Sequence, residues 1–214
     1  MAKHLPSDDI LADYAGGSAS PGISFLLAAH LTHAPESRRK VADYESVGGA
    51  LLNTSETAEM SAGALDAIMG AIDAIDTPTP KKLNGGPLPR SVVEQLGMNF
   101  DDIPWKFRWP GLSIYELDGF DDEKVTLVRG KPGVAIPQHT HSGLEMTLVL
   151  TGCLEDDGVE YRAGDVSAHD EAHDHRPRVS GDEICYCLIV EQGAVRFTGR
   201  YSRILNLFDR KRDA

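Results

Sequence analysis

His139, His141 and Glu145 are the residues whose types and spacing in this chain are best suited to chemistry. They lie in the stretch Gly133 to Gly152, GVAIPQHTHSGLEMTLVLTG. It predicts a strand ending at Pro137, a short turn carrying the two histidines, and a second strand from Glu145 to Leu150. Side chains two apart in extended chain point the same way. The two imidazoles therefore share a face, and Glu145 at the mouth of the next strand closes on the same space. Two imidazoles and a carboxylate converging like this suit a divalent transition ion.

The wider spacing is more specific. Gly133, five residues, HxH, three residues, Glu145, six residues and Gly152 resemble the first cupin motif without a gap. A cupin carries a second motif soon afterwards, a Gly-Asp turn with a later histidine. Gly164-Asp165 and His175 fill those places, while Asp170, Ala172 and Val179 replace the usual Pro, Gly and Asn. The resemblance implies a metal held by His139, His141, Glu145 and His175 inside a small β-barrel. Zn2+ is the ion expected there, and Fe2+ or Mn2+ suits the same donors; the other reading is a barrel that keeps the residues and holds no ion. His169 and His173 flank the second motif; either offers an extra ligand, but loop histidines of this kind are expected to face solvent, with Asp174 behind an imidazole to orient it.

The elements that must carry these residues fall into two groups. Over the first 76 residues the periodicity is helical. Ser7 with Asp8 and Asp9 reads as a helix start with acids at its positive end, and Gly16-Gly17 as its stop. Pro21 opens a second helix reaching about His33, with Ile23, Leu26, Leu27 and Leu31 as its apolar stripe. Pro35 opens a third that runs to about Leu52. A fourth, Ser61 to about Ile75, spaces Leu65, Ile68, Met69 and Ile72 along one face. So few short helices make a poor core alone, so a metal or a partner is expected to support them. From Asp76 to Pro89, DTPTPKKLNGGPLP reads as a flexible linker that lets the two parts act separately. From Arg90 onward, short β-rich runs such as Trp105 to Arg108, Leu112 to Glu116 and Lys124 to Val128 alternate with turns, as in an all-β barrel. Trp105 and Trp109 are expected in its core or rim, and Glu155-Asp156-Asp157-Gly158 as a solvated hairpin turn.

The helical part carries a second resemblance. AAHLTHAPESRRKVADYESVGGALL is similar to the zinc-binding anti-sigma domain, whose pattern is an early histidine and then HxxxCxxC. His4 and His30 match the two histidines, and HL before and P-x-x-RR after the motif also match. Ala34 and Ser37 stand where the two cysteines should be. An anti-sigma helical domain followed by a cupin resembles the ChrR-type cupin anti-sigma factors, from His4 to about Phe208. The implied fold is two-domain, α plus all-β: a small N-terminal helical bundle (1–76), a linker (77–89) and a cupin, or double-stranded β-helix jelly roll (90–214). Loss of two thiolates weakens the implied N-terminal Zn2+ site severely. His33, one turn after His30, offers a replacement ligand, so His4, His30 and His33 with Glu36 or water form a second, weakened candidate site. The alternative is that His33 is simply exposed at a helix end.

Composition bounds the function. The formal net charge of −12 argues against direct nucleic-acid binding and suits a basic protein partner. Cys153, Cys185 and Cys187 are too few for a secreted disulfide framework, and Cys185 and Cys187 read as two small core residues on one strand face. The N-terminus MAKHLPSDD has no signal-peptide core and the apolar run Ile23 to Leu31 is too short to span a bilayer, so a cytoplasmic protein is expected. By resemblance, the helices would grip an extracytoplasmic-function sigma factor, with Asp8, Asp9, Asp13, Asp43 and Glu45 complementing its basic surface. The cupin would sense an oxidative signal such as singlet oxygen. The other function carried forward is a cupin metalloenzyme, dioxygenase-like, with a helical appendage. An exposed barrel edge would also allow pairing into a dimer.

Overall fold

A computed structural model describes residues 2–76, 82–120 and 122–200. Five helices are described: α1 (Asp8–Gly16), α2 (Pro21–Leu31), α3 (Pro35–Leu52), α4 (Ala64–Asp73) and α5 (Arg90–Leu96). A 3-10 turn, Phe100–Asp102, leads into eleven strands. These are β1 (Lys106–Trp109), β2 (Leu112–Leu117), β3 (Lys124–Gly130), β4 (His139–His141), β5 (Glu145–Thr151), β6 (Cys153–Asp156), β7 (Val159–Arg162), β8 (Val166–His169), β9 (Arg178–Ser180), β10 (Cys185–Glu191) and β11 (Val195–Phe197). They form a six-stranded sheet in the order β1-β2-β3-β10-β5-β8, a three-stranded sheet β7-β6-β9 and the pair β11-β4. All named pairings are antiparallel.

The central strands of the six-stranded sheet are buried on both faces, which explains their unusual sequences. β10, CYCLIVE, is buried at every position, and β5 at all but its last. Strands covered on both sides read as continuous apolar runs rather than alternating ones. One face looks into the barrel through Leu112, Ile114, Val128, Val149, Cys185, Cys187 and Ile189. The other presents Val125, Leu127, Met146, Leu148, Leu188 and Val190 to the helices, where Leu11, Ile23, Leu26, Leu27 and Val92 complete one continuous core.

That shared core departs from the expectation of two separately acting parts. The short helices lack a core of their own, and α2 uses the outer face of the sheet as its floor. Gly22 permits the approach: a Cβ there would lie 2.7 Å from Glu123 Oε2 and 3.0 Å from Val125 and Val190 methyls. The Glu123 carboxylate accepts from the Gly22 N–H and the Ser20 hydroxyl, both at 2.6 Å, and so caps the N-terminus of α2 from the barrel side. Residues 82–89 of the expected flexible linker are anchored at several points. Leu88 is buried, and Asn84 exchanges backbone and side-chain hydrogen bonds with Phe100 and Asn99. Residues 77–81, and the end of the cupin-like region from 201 on, lie outside the described residues. The β-rich reading from Arg90 also passed over α5, a single short helix whose Val92, Val93 and Leu96 face the core.

α4 is different. None of its residues is buried; Leu65 is 66%, Ile68 50%, Met69 49% and Ile72 54% exposed, so its whole apolar stripe faces solvent.

Candidate metal centre

The two histidines of the HxH stretch lie on a strand, β4, rather than in the expected turn. Pro137 cannot donate to a ladder, and the preceding segment is reduced to one isolated bridge, Ala135 to Arg178. β4 pairs with β11, and its His139 exchanges two backbone hydrogen bonds with His175, at 3.0 and 3.1 Å. That bridge brings the distant histidine beside the HxH pair. Glu145, the first residue of β5, enters from the neighbouring strand.

The four ligand atoms of His139, His141, Glu145 and His175 all lie within 4.8 Å of one another, and all four residues are buried. His141 Nε2 is 3.0 Å from His175 Nε2 and 3.3 Å from Glu145 Oε2, and His139 Nε2 is 4.0 Å from the same oxygen. The tautomers follow from the far sides of the rings. His139 Nδ1–H donates to the Pro137 carbonyl at 2.9 Å, and His175 Nδ1–H donates to Asp156 Oδ2 at 2.7 Å. Each thereby turns its Nε2 lone pair inward. Burial pushes His141 down to about 4, against the opposing pull of Glu145, so it is a neutral ligand at neutral pH. Burial alone would raise Glu145, but the three imidazoles outweigh it and hold it below its ordinary value as an anion. Three imidazoles and one carboxylate around a common point form a site able to hold a metal ion.

The orienting carboxylate is Asp156. Asp174, expected in that role, instead accepts from the Thr198 hydroxyl at the surface. The turn is confined to Asp157 and Gly158, both at positive φ, while Asp156 ends β6 as a buried residue. Strand alternation from buried Leu154 would have placed it inward. His169 likewise ends β8 and is buried, its Nε2 3.3 Å from Asp156 Oδ2, rather than facing solvent. Asp156, His169 and His175 thus form a second close group that shares His175 with the first. His173 is exposed and pairs with Asp170 at 2.7 Å, as expected of a loop histidine.

Glu145 also lines a small, mostly apolar pocket in the barrel with Thr147, Ile136, Val179, Cys185 and Cys187. The two cysteine sulfurs are 3.6 Å apart, and Cys187 is kept a thiol by its hydrogen-bonding contact with Cys185 and by burial. An adjoining, more open cleft that shares Ile136 and Glu145 with this pocket is lined by His139, Trp109, Thr126 and Phe197.

The N-terminal candidates are placed differently. His4, His30 and His33 are not among the groups of ligand atoms that come together in the described residues. The His4 ring packs on Tyr161 with centroids 4.8 Å apart, and its main chain bonds Asp165 and Val166. His33 and Glu36 are exposed. His30 is fully buried, with Nδ1 2.8 Å from the Gly164 carbonyl and Nε2 2.8 Å from the Ser37 hydroxyl.

Fold and pocket together define a cupin with a metal-competent centre, carrying a helical domain on the outside of its main sheet. Residues 93–196 match the ChrR cupin-like domain family, and the chain is similar to ChrR over nearly its whole length. It is 29% identical over 209 residues to the anti-sigma-E factor ChrR of Cereibacter sphaeroides, covering 97% of this chain and 98% of that protein. Among solved structures it resembles the crystal structure of Rhodobacter sphaeroides SigE in complex with the anti-sigma ChrR, with a TM-score of 0.78 and 28% identity over 89% of this chain and 99% of that one.

Proposed function

We propose that this protein is an anti-sigma factor whose N-terminal helices bind an extracytoplasmic-function sigma factor and whose cupin domain holds the responding metal site. The observation that carries this is the end-to-end correspondence with ChrR, crystallised as a complex with SigE. It spans the helices as well as the barrel, and it is to a regulatory protein rather than an enzyme.

The surface of the helical domain supports the reading. α4 exposes a stripe of Leu65, Ile68, Met69 and Ile72, and the end of α3 adds exposed Val47, Leu51 and Leu52. An amphipathic helix with no partner in its own chain is built to meet one elsewhere. The acidic residues Asp9, Asp43 and Glu45 of α1 and α3 suit a basic partner. Zn2+ is the ion we assign to His139, His141, Glu145 and His175, with Fe2+ or Mn2+ compatible with the same donors; when bound, it supplies a Lewis-acid centre. The chain's own residues give the centre a short route to the helices. β8 follows directly on Asp165, which accepts hydrogen bonds from the Lys3 and His4 N–H groups, and ends at His169 beside Asp156 and His175. An oxidative signal read in the barrel would travel by this route. We take residues 1–76 as the sigma-binding part, 90–214 as the cupin, and the cytoplasm as their place of action; no helix among the described residues is long and apolar enough to cross a membrane.

Co-expression of the full chain with each extracytoplasmic-function sigma factor of its own genome tests the proposal. One of them is expected to co-purify in a stable complex. Failure of every such sigma to co-purify with a folded chain would overturn it.

A further inference from the structure

The resemblance to zinc-binding anti-sigma domains implies a metal where α2 meets α3, and the residues there do not fit one. The two positions that would supply thiolates are Ala34 and Ser37, 1% and 0% exposed, so neither side chain is free to be replaced by a passing ligand. His30 has no nitrogen to spare. A carbonyl oxygen only accepts, so Nδ1 carries the proton and donates to Gly164, and Nε2 is left to accept from the Ser37 hydroxyl. Both ring nitrogens and the hydroxyl are satisfied, as a fully buried polar pair must be. His4 faces Tyr161, and His33 is exposed.

We infer that in this protein a metal-independent clasp, Ser37–His30–Gly164, stands at the junction of α2 and α3 and ties that junction to the cupin. The imidazole does two jobs with two nitrogens. Nε2 joins α2 to α3, as a shared ion would, and Nδ1 fastens both to the turn that starts β8. The fit at that turn is close: a Cβ on Gly164 would stand 2.9 Å from His33 Cβ. Asp165, the next residue, accepts from the Lys3 and His4 N–H groups, and the Val166 N–H donates to the His4 carbonyl. Four hydrogen bonds thus converge on three consecutive cupin residues. The helical domain is assembled by docking rather than by metal loading, and zinc supply acts on the barrel alone. The inference stands on the clasp geometry and does not need the sigma-binding reading.

Imidazole nitrogen NMR of the full chain tests it directly, with the His30 signals assigned by their loss in His30→Gln. The expected spectrum has His30 protonated on Nδ1, and added zinc leaves its Nε2 shift unchanged. A proton on Nε2, or movement of Nε2 into the metal-bound range with zinc, would overturn the clasp. Zinc content gives a second readout that does not depend on assignment. At most one zinc per chain is expected, lost in His141→Ala and retained in Ser37→Ala. Any zinc that survives His141→Ala and disappears in Ser37→Ala contradicts the inference.

Discussion

Asp156 and His30 show how much hangs on single hydrogen bonds here. Asp156 holds the Nδ1–H of a metal-site histidine at 2.7 Å, and such partners typically set metal affinity by about 10–100-fold. Asp156→Asn should therefore weaken zinc binding by about that factor while the barrel still folds, measured by competition with a chromophoric chelator. Asp174→Asn should leave affinity unchanged. His30 supports a prediction about pH. Burial, partly offset by its bond to Gly164, holds it below the ordinary value of 6.5. The unfolded chain then binds a proton that the folded chain refuses, so this contribution to stability is fully present above about pH 6.5 and is lost as pH falls below it. The urea midpoint should drop between pH 7.5 and 5.5, and by less in His30→Gln. Ser37→Ala, which strands Nε2 in the interior, should cost about 1–3 kcal/mol at neutral pH in the same assay. The residues of the candidate metal centre were legible in the sequence because HxH, Glu145 and His175 keep a fixed spacing. Asp156 was not, because EDDG reads as a turn and only its last two residues make one.

At the scale of elements, α2 and α4 are opposites. α2 is apolar nearly all round, and Ile23, Leu26, Leu27, Ala29 and His30 are all buried. Such a helix has its partner inside the chain, the outer face of β3, β10 and β5. Its placement depends on the Glu123 cap, so Glu123→Ala should lower stability by about 1–2 kcal/mol, read from the thermal midpoint of the full chain. α4 keeps its apolar stripe in solvent. Ile68→Asp should hence change stability by less than about 0.5 kcal/mol and weaken sigma binding at least tenfold by titration calorimetry. Helix positions were readable from period and proline: α2 and α3 open at Pro21 and Pro35 as expected. What escaped was where each stripe goes, since periodicity marks an apolar face and not what covers it. β10 was legible as a strand carrying Cys185 and Cys187 on one face, but its two buried faces left no alternation to show that its other face would be covered by helices.

Taken whole, the molecule is a jelly roll whose outer wall serves as the floor of the helical domain. The low-complexity stretch before Arg90 suggested two bodies on a tether. Local composition records backbone freedom and is silent about docking between segments far apart in sequence, and contacts such as His30 to Gly164 or Gly22 to Glu123 span more than a hundred residues. The consequence is functional. A partner that binds α4 and the end of α3 would engage a helical domain already anchored to the cupin through α2, and a change at Asp156, His169 or His175 would have one strand to cross before it reaches the Lys3–His4 segment of that domain. Reconstituted transcription tests this account most directly. RNA polymerase core, the sigma factor that co-purifies, and a promoter that it reads would be mixed with increasing full-length chain. The expected result is transcription that falls to background at about one chain per sigma, with Ile68→Asp failing to inhibit. Undiminished transcription in the presence of excess folded chain would contradict the account.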